Sequence, residues 1–121
     1  MQGPLRMNVD ELYQRGFEAR CNGQYRQARE FLQEVLAANP AHTDAQWQIG
    51  LIQGFEGDFD GSLATLQAIV DKNPGHQSAR YDLAMTMMML GMTDEACAEF
   101  KELLRQNPAH EKAKQQIVFC P

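Results

Sequence analysis

Asn39-Pro40-Ala41-His42, Asn73-Pro74-Gly75-His76 and Asn107-Pro108-Ala109-His110 are three copies of one tetrapeptide, Asn-Pro-x-His, separated by 34 residues each time. One copy says nothing, but three at one interval make the chain an internal repeat. A period of 34 is that of a helix–turn–helix unit stacked on its neighbours. Cut at that interval, the chain gives repeats Val9–His42, Thr43–His76 and Gln77–His110, with a lead-in over residues 1–8 and Glu111–Pro121 left over. Residues 9–121 then read as one domain, whose core is built between neighbouring repeats and not around a single centre.

In this frame the other columns align without a gap. Gly23, Gly57 and Gly91 coincide where each first helix must end, and glycine there accepts the positive φ that turns the chain back. Five residues on, Ala28, Ser62 and Ala96 form a small column that lets the second helix approach the first. Leu32, Leu66 and Phe100, then Val35, Ile69 and Leu103, continue that face at helical spacing. The Asn-Pro pair ends the second helix, because proline disfavours helical geometry in the residue before it. Asn8 with Glu11, and Thr43 with Gln46, have the spacing of capping boxes. The pattern predicts paired helices, Val9–Asn22 with Tyr25–Ala38 in the first repeat and their equivalents thereafter. Glu111–Pro121 begins like another first helix and is expected to cap the third repeat over Glu111–Phe119. Its apolar end, Ile117-Val118-Phe119-Cys120, either packs inward, or marks a longer array, or meets another subunit.

These columns resemble the tetratricopeptide repeat, whose pattern runs W-x2-L-G-x2-Y, then A-x3-F, then P. The third unit reads Arg80-x2-Leu83-Ala84-x2-Met87, Ala96-x3-Phe100, Pro108. The second reads Gln46-x2-Ile49-Gly50-x2-Gln53, Ser62-x3-Leu66, Pro74, and the first Leu12-x2-Arg15-Gly16-x2-Ala19, Ala28-x3-Leu32, Pro40. The small, late apolar and proline columns match. The opening aromatic column does not (Leu12, Gln46, Arg80), and Arg15 stands where an apolar residue belongs. The resemblance implies an all-α fold, a right-handed α-solenoid of antiparallel helix pairs, whose first helices line a concave face that holds partners.

Carried over by column, that face presents Tyr13, Trp47 and Tyr81, then Phe17, Leu51 and Met85 one turn on. Cys21, Phe55 and Met89 continue it, with Met88 beside them. Such a ladder on three adjacent helices suits a groove for an apolar or amphipathic peptide. Burying one large apolar side chain contributes about 1.5–3 kcal/mol, so a few anchors suffice for micromolar binding. Met85, Met87, Met88, Met89 and Met92 would make the wall adaptable. The same positions also suit packing between repeats, and for Phe55 and Met89, late in their helices, core packing is the stronger expectation. Tetratricopeptide domains that grip the acidic C-termini of heat-shock proteins use Lys, Asn and Arg on these helices. The matching positions here, Tyr13, Phe17, Gln48, Ser78 and Asp82, hold no cation, which excludes that clamp.

The net charge of −5 argues against a nucleic-acid or anionic-membrane partner, both of which need clustered Lys and Arg. No apolar run reaches the ~20 residues of a membrane span, and Met1–Asp10 lacks the apolar block of a signal peptide. Cys21, Cys97 and Cys120, odd in number and without a CxxC pair, read as reduced thiols of a cytoplasmic protein. The recurring histidines suggest a metal site. Packed helices lie about 8–10 Å apart, however, too far for rings that must each reach ~2.0–2.1 Å from one zinc ion. A role in the turn, or plain inheritance from duplication, is expected instead. Glu56-x-Asp58-x-Asp60-Gly61 opens like a calcium loop, but Gln67 stands where the closing acid belongs. The second repeat carries five acids against Lys72, which reads as a solvated outer face or as attraction for a basic partner.

No nucleophile constellation, phosphate loop or HExxH occurs, so no catalytic residue, metal or cofactor is expected. The sequence predicts a non-enzymatic scaffold, adaptor or chaperone-like module that holds a peptide or helix of a protein partner in an apolar groove. The alternatives are a self-assembling module, homo-oligomeric through its C-terminal end, and an accessory segment of a longer protein.

Overall fold

The computed structural model describes residues 7–121, so the expected lead-in lies outside the described residues except for Met7 and Asn8. Seven helices and no strand occur among the described residues. They are α1 (Val9–Cys21), α2 (Tyr25–Ala38), α3 (Thr43–Phe55), α4 (Phe59–Lys72), α5 (Gln77–Met89), α6 (Thr93–Gln106) and α7 (Glu111–Ile117). The fold is an all-α solenoid of antiparallel helix pairs, with helix ends within a residue of those read from the first repeat. The cap is shorter than expected, its helix stopping at Ile117 and not Phe119.

Each helix packs against the next in the chain, and in addition α1 touches α3 and α3 touches α5. No comparable contact joins α2 to α4 or α4 to α6. Odd-numbered helices that meet while even-numbered ones splay apart make a row curved toward α1, α3 and α5, which puts the first helices inside. The turns between paired helices depend on Gly23, Gly57 and Gly91, at φ +76°, +86° and +77°. A Cβ at any of the three would meet nothing within 4 Å, so glycine is required there by backbone conformation and not by space.

Ala28, Ser62 and Ala96 are buried, as are Leu32, Leu66, Phe100, Val35, Ile69 and Leu103. The Ser62 hydroxyl donates to the Gly50 carbonyl at 2.8 Å, which satisfies the one polar member of the small column. The core runs as two stretches. One belongs to the first repeat and α3, and the other extends from α4 to Ala113 of the cap.

The thiol expectation is corrected at the cap. Cys97 and Cys120 form a disulfide, because the segment after α7 folds back on α6 and brings their Cα atoms to 5.7 Å. Cys21 is free and exposed. The apolar end divides: Ile117 and Cys120 pack on the core, while Val118 and Phe119 stand 73% and 69% exposed.

Candidate functional site

The Asn-Pro-x-His stretch proves to be a capped turn. The carbonyls of Asn39, Asn73 and Asn107 accept the backbone N–H of His42, His76 and His110 at 3.1, 2.9 and 3.0 Å. Each imidazole then closes the start of the next helix. Nδ1 of His42, His76 and His110 accepts the N–H of Ala45, Ala79 and Ala113 at 3.0, 3.0 and 3.1 Å. A ring that accepts through Nδ1 carries its proton on Nε2. The N-cap of α3 is therefore His42, and the expected Thr43–Gln46 box does not form; Gln46 donates instead to the Pro40 carbonyl at 2.8 Å. At α1, Asn8 does cap, its Oδ1 accepting from the Glu11 N–H at 2.8 Å, while the Glu11 carboxylate takes the Asn8 side-chain amide at 2.9 Å.

The same rings meet the aromatic column. Tyr13 lies 5.2 Å from His42, Trp47 5.6 Å from His76 and Tyr81 5.9 Å from His110, between ring centroids. Each aromatic also reaches a polar side chain one repeat and one residue further on. The Gln48 amide donates to the Tyr13 hydroxyl at 3.3 Å, and the Trp47 indole N–H donates to Asp82 Oδ2 at 2.7 Å. Gln116 stands at the equivalent position beside Tyr81 and lowers the pKa of its hydroxyl against the effect of burial. The column is thus a joint between consecutive repeats, half-buried in all three. Burial raises the Tyr13 and Tyr81 hydroxyls above the usual tyrosine pKa.

Toward the C-terminal ends of α3 and α5 an apolar recess of about 390 Å³ opens between α3, α4 and α5. Leu51, Phe55, Met85 and Met89 line it over buried Leu66, with Phe59 on the α4 side and Asp82 at its edge. Phe55 and Met89 are 58% and 64% exposed, against the core packing expected of them. Each lies in the last turn of its helix, where the chain turns away before anything covers it. Phe55 stacks on Tyr25 of α2, with 5.8 Å between ring centroids. A second recess of about 330 Å³ is lined by Trp47, Ser78, Tyr81, Asp82, His110 and Lys112. Of the remaining sequence candidates, Tyr13 and Phe17 stack on each other at 6.4 Å on α1, with Arg20 over Phe17. Met88 packs on the core and lines neither recess. A larger hollow of about 800 Å³ runs along α2, but Gln27, Glu30, Phe31, Gln33, Glu34 and Ala37 all come from that one helix and give it no second wall.

Asp82 joins the two recesses, although its place in the sequence marks it only as a non-cationic clamp position. Burial raises its pKa above the usual aspartate value, partly opposed by the Trp47 hydrogen bond and the charges of Lys112, His76 and Arg20. The signal was present in the spacing, since Gln48, Asp82 and Gln116 each follow an aromatic of the joint by 35 residues. Two of the three calcium-like acids are otherwise engaged: Asp58 caps α4 through Gly61 N–H at 2.9 Å, and Glu56 pairs with Arg29. No three His, Cys, Asp or Glu side chains converge among the described residues, and no helix there is long and apolar enough to cross a membrane.

Stacked helix pairs with a recessed inner row define a helical-repeat interaction module. Models of the tetratricopeptide repeat match residues 13–53 and 56–117, and the chain belongs to that family, whose members are generally protein-interaction modules. No curated protein sequence matches the chain. Among solved structures it is similar to MamA of AMB-1, at 26% identity and TM-score 0.77 over 93% of this chain and 62% of MamA. YrrB, described as a TPR protein with an unusual peptide-binding site, is 25% identical with TM-score 0.80 over 91% of this chain and 57% of YrrB. A mutant O-GlcNAc transferase of Thermobaculum terrenum shares the fold, at 21% identity and TM-score 0.81 over 90% of this chain and 21% of the transferase. The chain spans less than two-thirds of the length of any of the three.

Proposed function

We propose that the chain is a non-enzymatic scaffold or adaptor that takes a peptide or helix of a partner protein in the recess between α3 and α5. The observation that carries this reading is the exposure of Phe55 and Met89 beside half-buried Leu51 and Met85. Four apolar side chains of two neighbouring helices face one recess, and none of the described chain lies over them. Its volume of about 390 Å³ is that of a small ligand cleft, wide enough for one or two apolar side chains. The likeness to YrrB supports a peptide as occupant, since its description names a peptide-binding site. The cytoplasmic placement rested on reduced thiols and loses that support now that Cys97 and Cys120 are joined.

Phe55→Ser and Met89→Ser test the reading, because both side chains are exposed and the helices should survive. Each should weaken capture of peptides selected from a random twelve-residue display library by about fivefold, near 1 kcal/mol of lost apolar contact. Undiminished capture with both changed would sink the groove assignment. The exposure of Val118 and Phe119 favours a second reading, self-association through the C-terminal end. Sedimentation decides it: a dimer lost on Phe119→Glu supports it, and a native chain that is monomeric throughout refutes it.

A further inference from the structure

The inner row carries an acid among its aromatic and apolar residues. Asp82 is the one side chain shared by the apolar recess of Leu51, Phe55, Met85 and Met89 and the recess of Trp47, Tyr81 and Lys112. Its Oδ2 is engaged by the Trp47 indole, and among the described residues no Lys, Arg or His forms an ion pair with it. We infer that the groove selects peptides with an Arg or Lys beside an apolar residue, the cation pairing with Asp82 while its neighbour enters the apolar recess. This rests on the groove reading and names the ligand class for it.

Three further observations support it. The row attracts cations, since Lys112 Nζ lies 5.6 Å from the Tyr81 ring centre and the Arg20 guanidinium 5.3 Å from that of Phe17. A guanidinium entering between Trp47 and Tyr81 would meet aromatic rings of the same row with a carboxylate alongside, an arrangement suited to its planar donor array. Burial also holds the Asp82 carboxylate partly desolvated, and an incoming cation supplies the stabilisation that water no longer gives. The net charge of −5 draws a basic peptide toward the chain as a whole, whereas an acidic one meets repulsion. Lys112, on the far side of the second recess, is the chain's own competitor for this position.

The random twelve-residue library is selected on the folded chain, and a binder is synthesised with Arg, Gln or Glu at the selected basic position. Emission of Trp47, the chain's single tryptophan, follows binding directly. The Arg peptide should bind about tenfold more tightly than the Gln peptide, the scale of a partly desolvated charge pair, with the Glu peptide weakest. Asp82→Asn keeps an acceptor for the indole and should bring the Arg and Gln peptides to within about twofold. Lys112→Ala should tighten the Arg peptide. If enriched peptides lack a basic residue, or Asp82→Asn leaves the Arg-to-Gln ratio unchanged, the inference fails and the groove reading stands. If nothing is enriched, or the Phe55→Ser, Met89→Ser double variant enriches the same peptides equally well, both fail. A Trp47 emission that follows the chain's own concentration, with a matching rise in mass, would put a second copy in the groove and overturn the inference. Should Asp82→Asn not fold, the peptide series on the native chain decides, and equal affinity of Arg and Gln peptides overturns it.

Discussion

Replacing His76 dissects the tetrapeptide that gives the chain its period. Its Nδ1 accepts the Ala79 N–H at 3.0 Å, and its ring meets Trp47 edge-on at 5.6 Å between centroids. Loss of a helix N-cap costs about 1 kcal/mol, within a range of roughly 0.5–2, and an aromatic pair contributes about 0.5–1.5. His76→Ala removes both, so a destabilisation of about 1–3.5 kcal/mol is expected. His76→Asn restores a short side-chain acceptor for Ala79 and removes only the ring contact, so it should lose about 0.5–1.5 kcal/mol. Urea unfolding, followed by circular dichroism and by Trp47 emission, resolves a difference of this size. For a chain of this length each kcal/mol corresponds to about 4 °C in Tm. Both variants should alter native Trp47 emission, since both remove the ring beside it. If His76→Asn is as damaging as His76→Ala, the cap carries no energy. If His76→Ala loses less than about 0.5 kcal/mol, both the cap and the joint are refuted.

Three other outcomes are expected. Reducing Cys97–Cys120, or changing Cys120 to Ser, should lower stability by about 3 kcal/mol on the chain-entropy model for a loop of 23-residue separation, seen as a lower urea midpoint under dithiothreitol and no effect of reductant on the variant. Two helical glycines should respond in opposite senses to alanine. A Cβ on Gly16 would meet Leu32 Cγ at 2.8 Å and lose about 1–3 kcal/mol to overpacking, whereas on Gly54 its nearest neighbour is Ser62 Oγ at 3.5 Å and helix propensity should add about 1 kcal/mol; thermal melts give both signs. Because burial raises the Asp82 pKa, folding disfavours its ionised form: its contribution is full below the ordinary aspartate value and declines as pH rises through the raised one. Trp47 emission should therefore titrate with a midpoint above about 3.9, and Asp82→Asn should abolish that step.

Read alone, the chain settles its architecture. The interval between Asn39, Asn73 and Asn107, the glycine column, the small column of Ala28, Ser62 and Ala96 and the proline stops all act on the backbone or between helices adjacent in sequence. Such effects repeat with the sequence, so periodicity exposes them. Four features answer to longer distances. The rings of His42, His76 and His110 reach Tyr13 on α1, Trp47 on α3 and Tyr81 on α5. Cys97 found Cys120 because α7 folds its tail onto α6. Phe55 and Met89 are uncovered because each helix pair turns away at its glycine before the next can shield them. Asp82 joined the inner row through Trp47 of the preceding repeat. In each case the deciding contact, made or missing, is with another helix, and which side chains meet depends on how far one repeat is shifted and rotated against the next. That offset arises from packing the second helix of one repeat against the first helix of the next. It exists only in three dimensions, and it decides which apolar residues close the joints and which are left to face a partner.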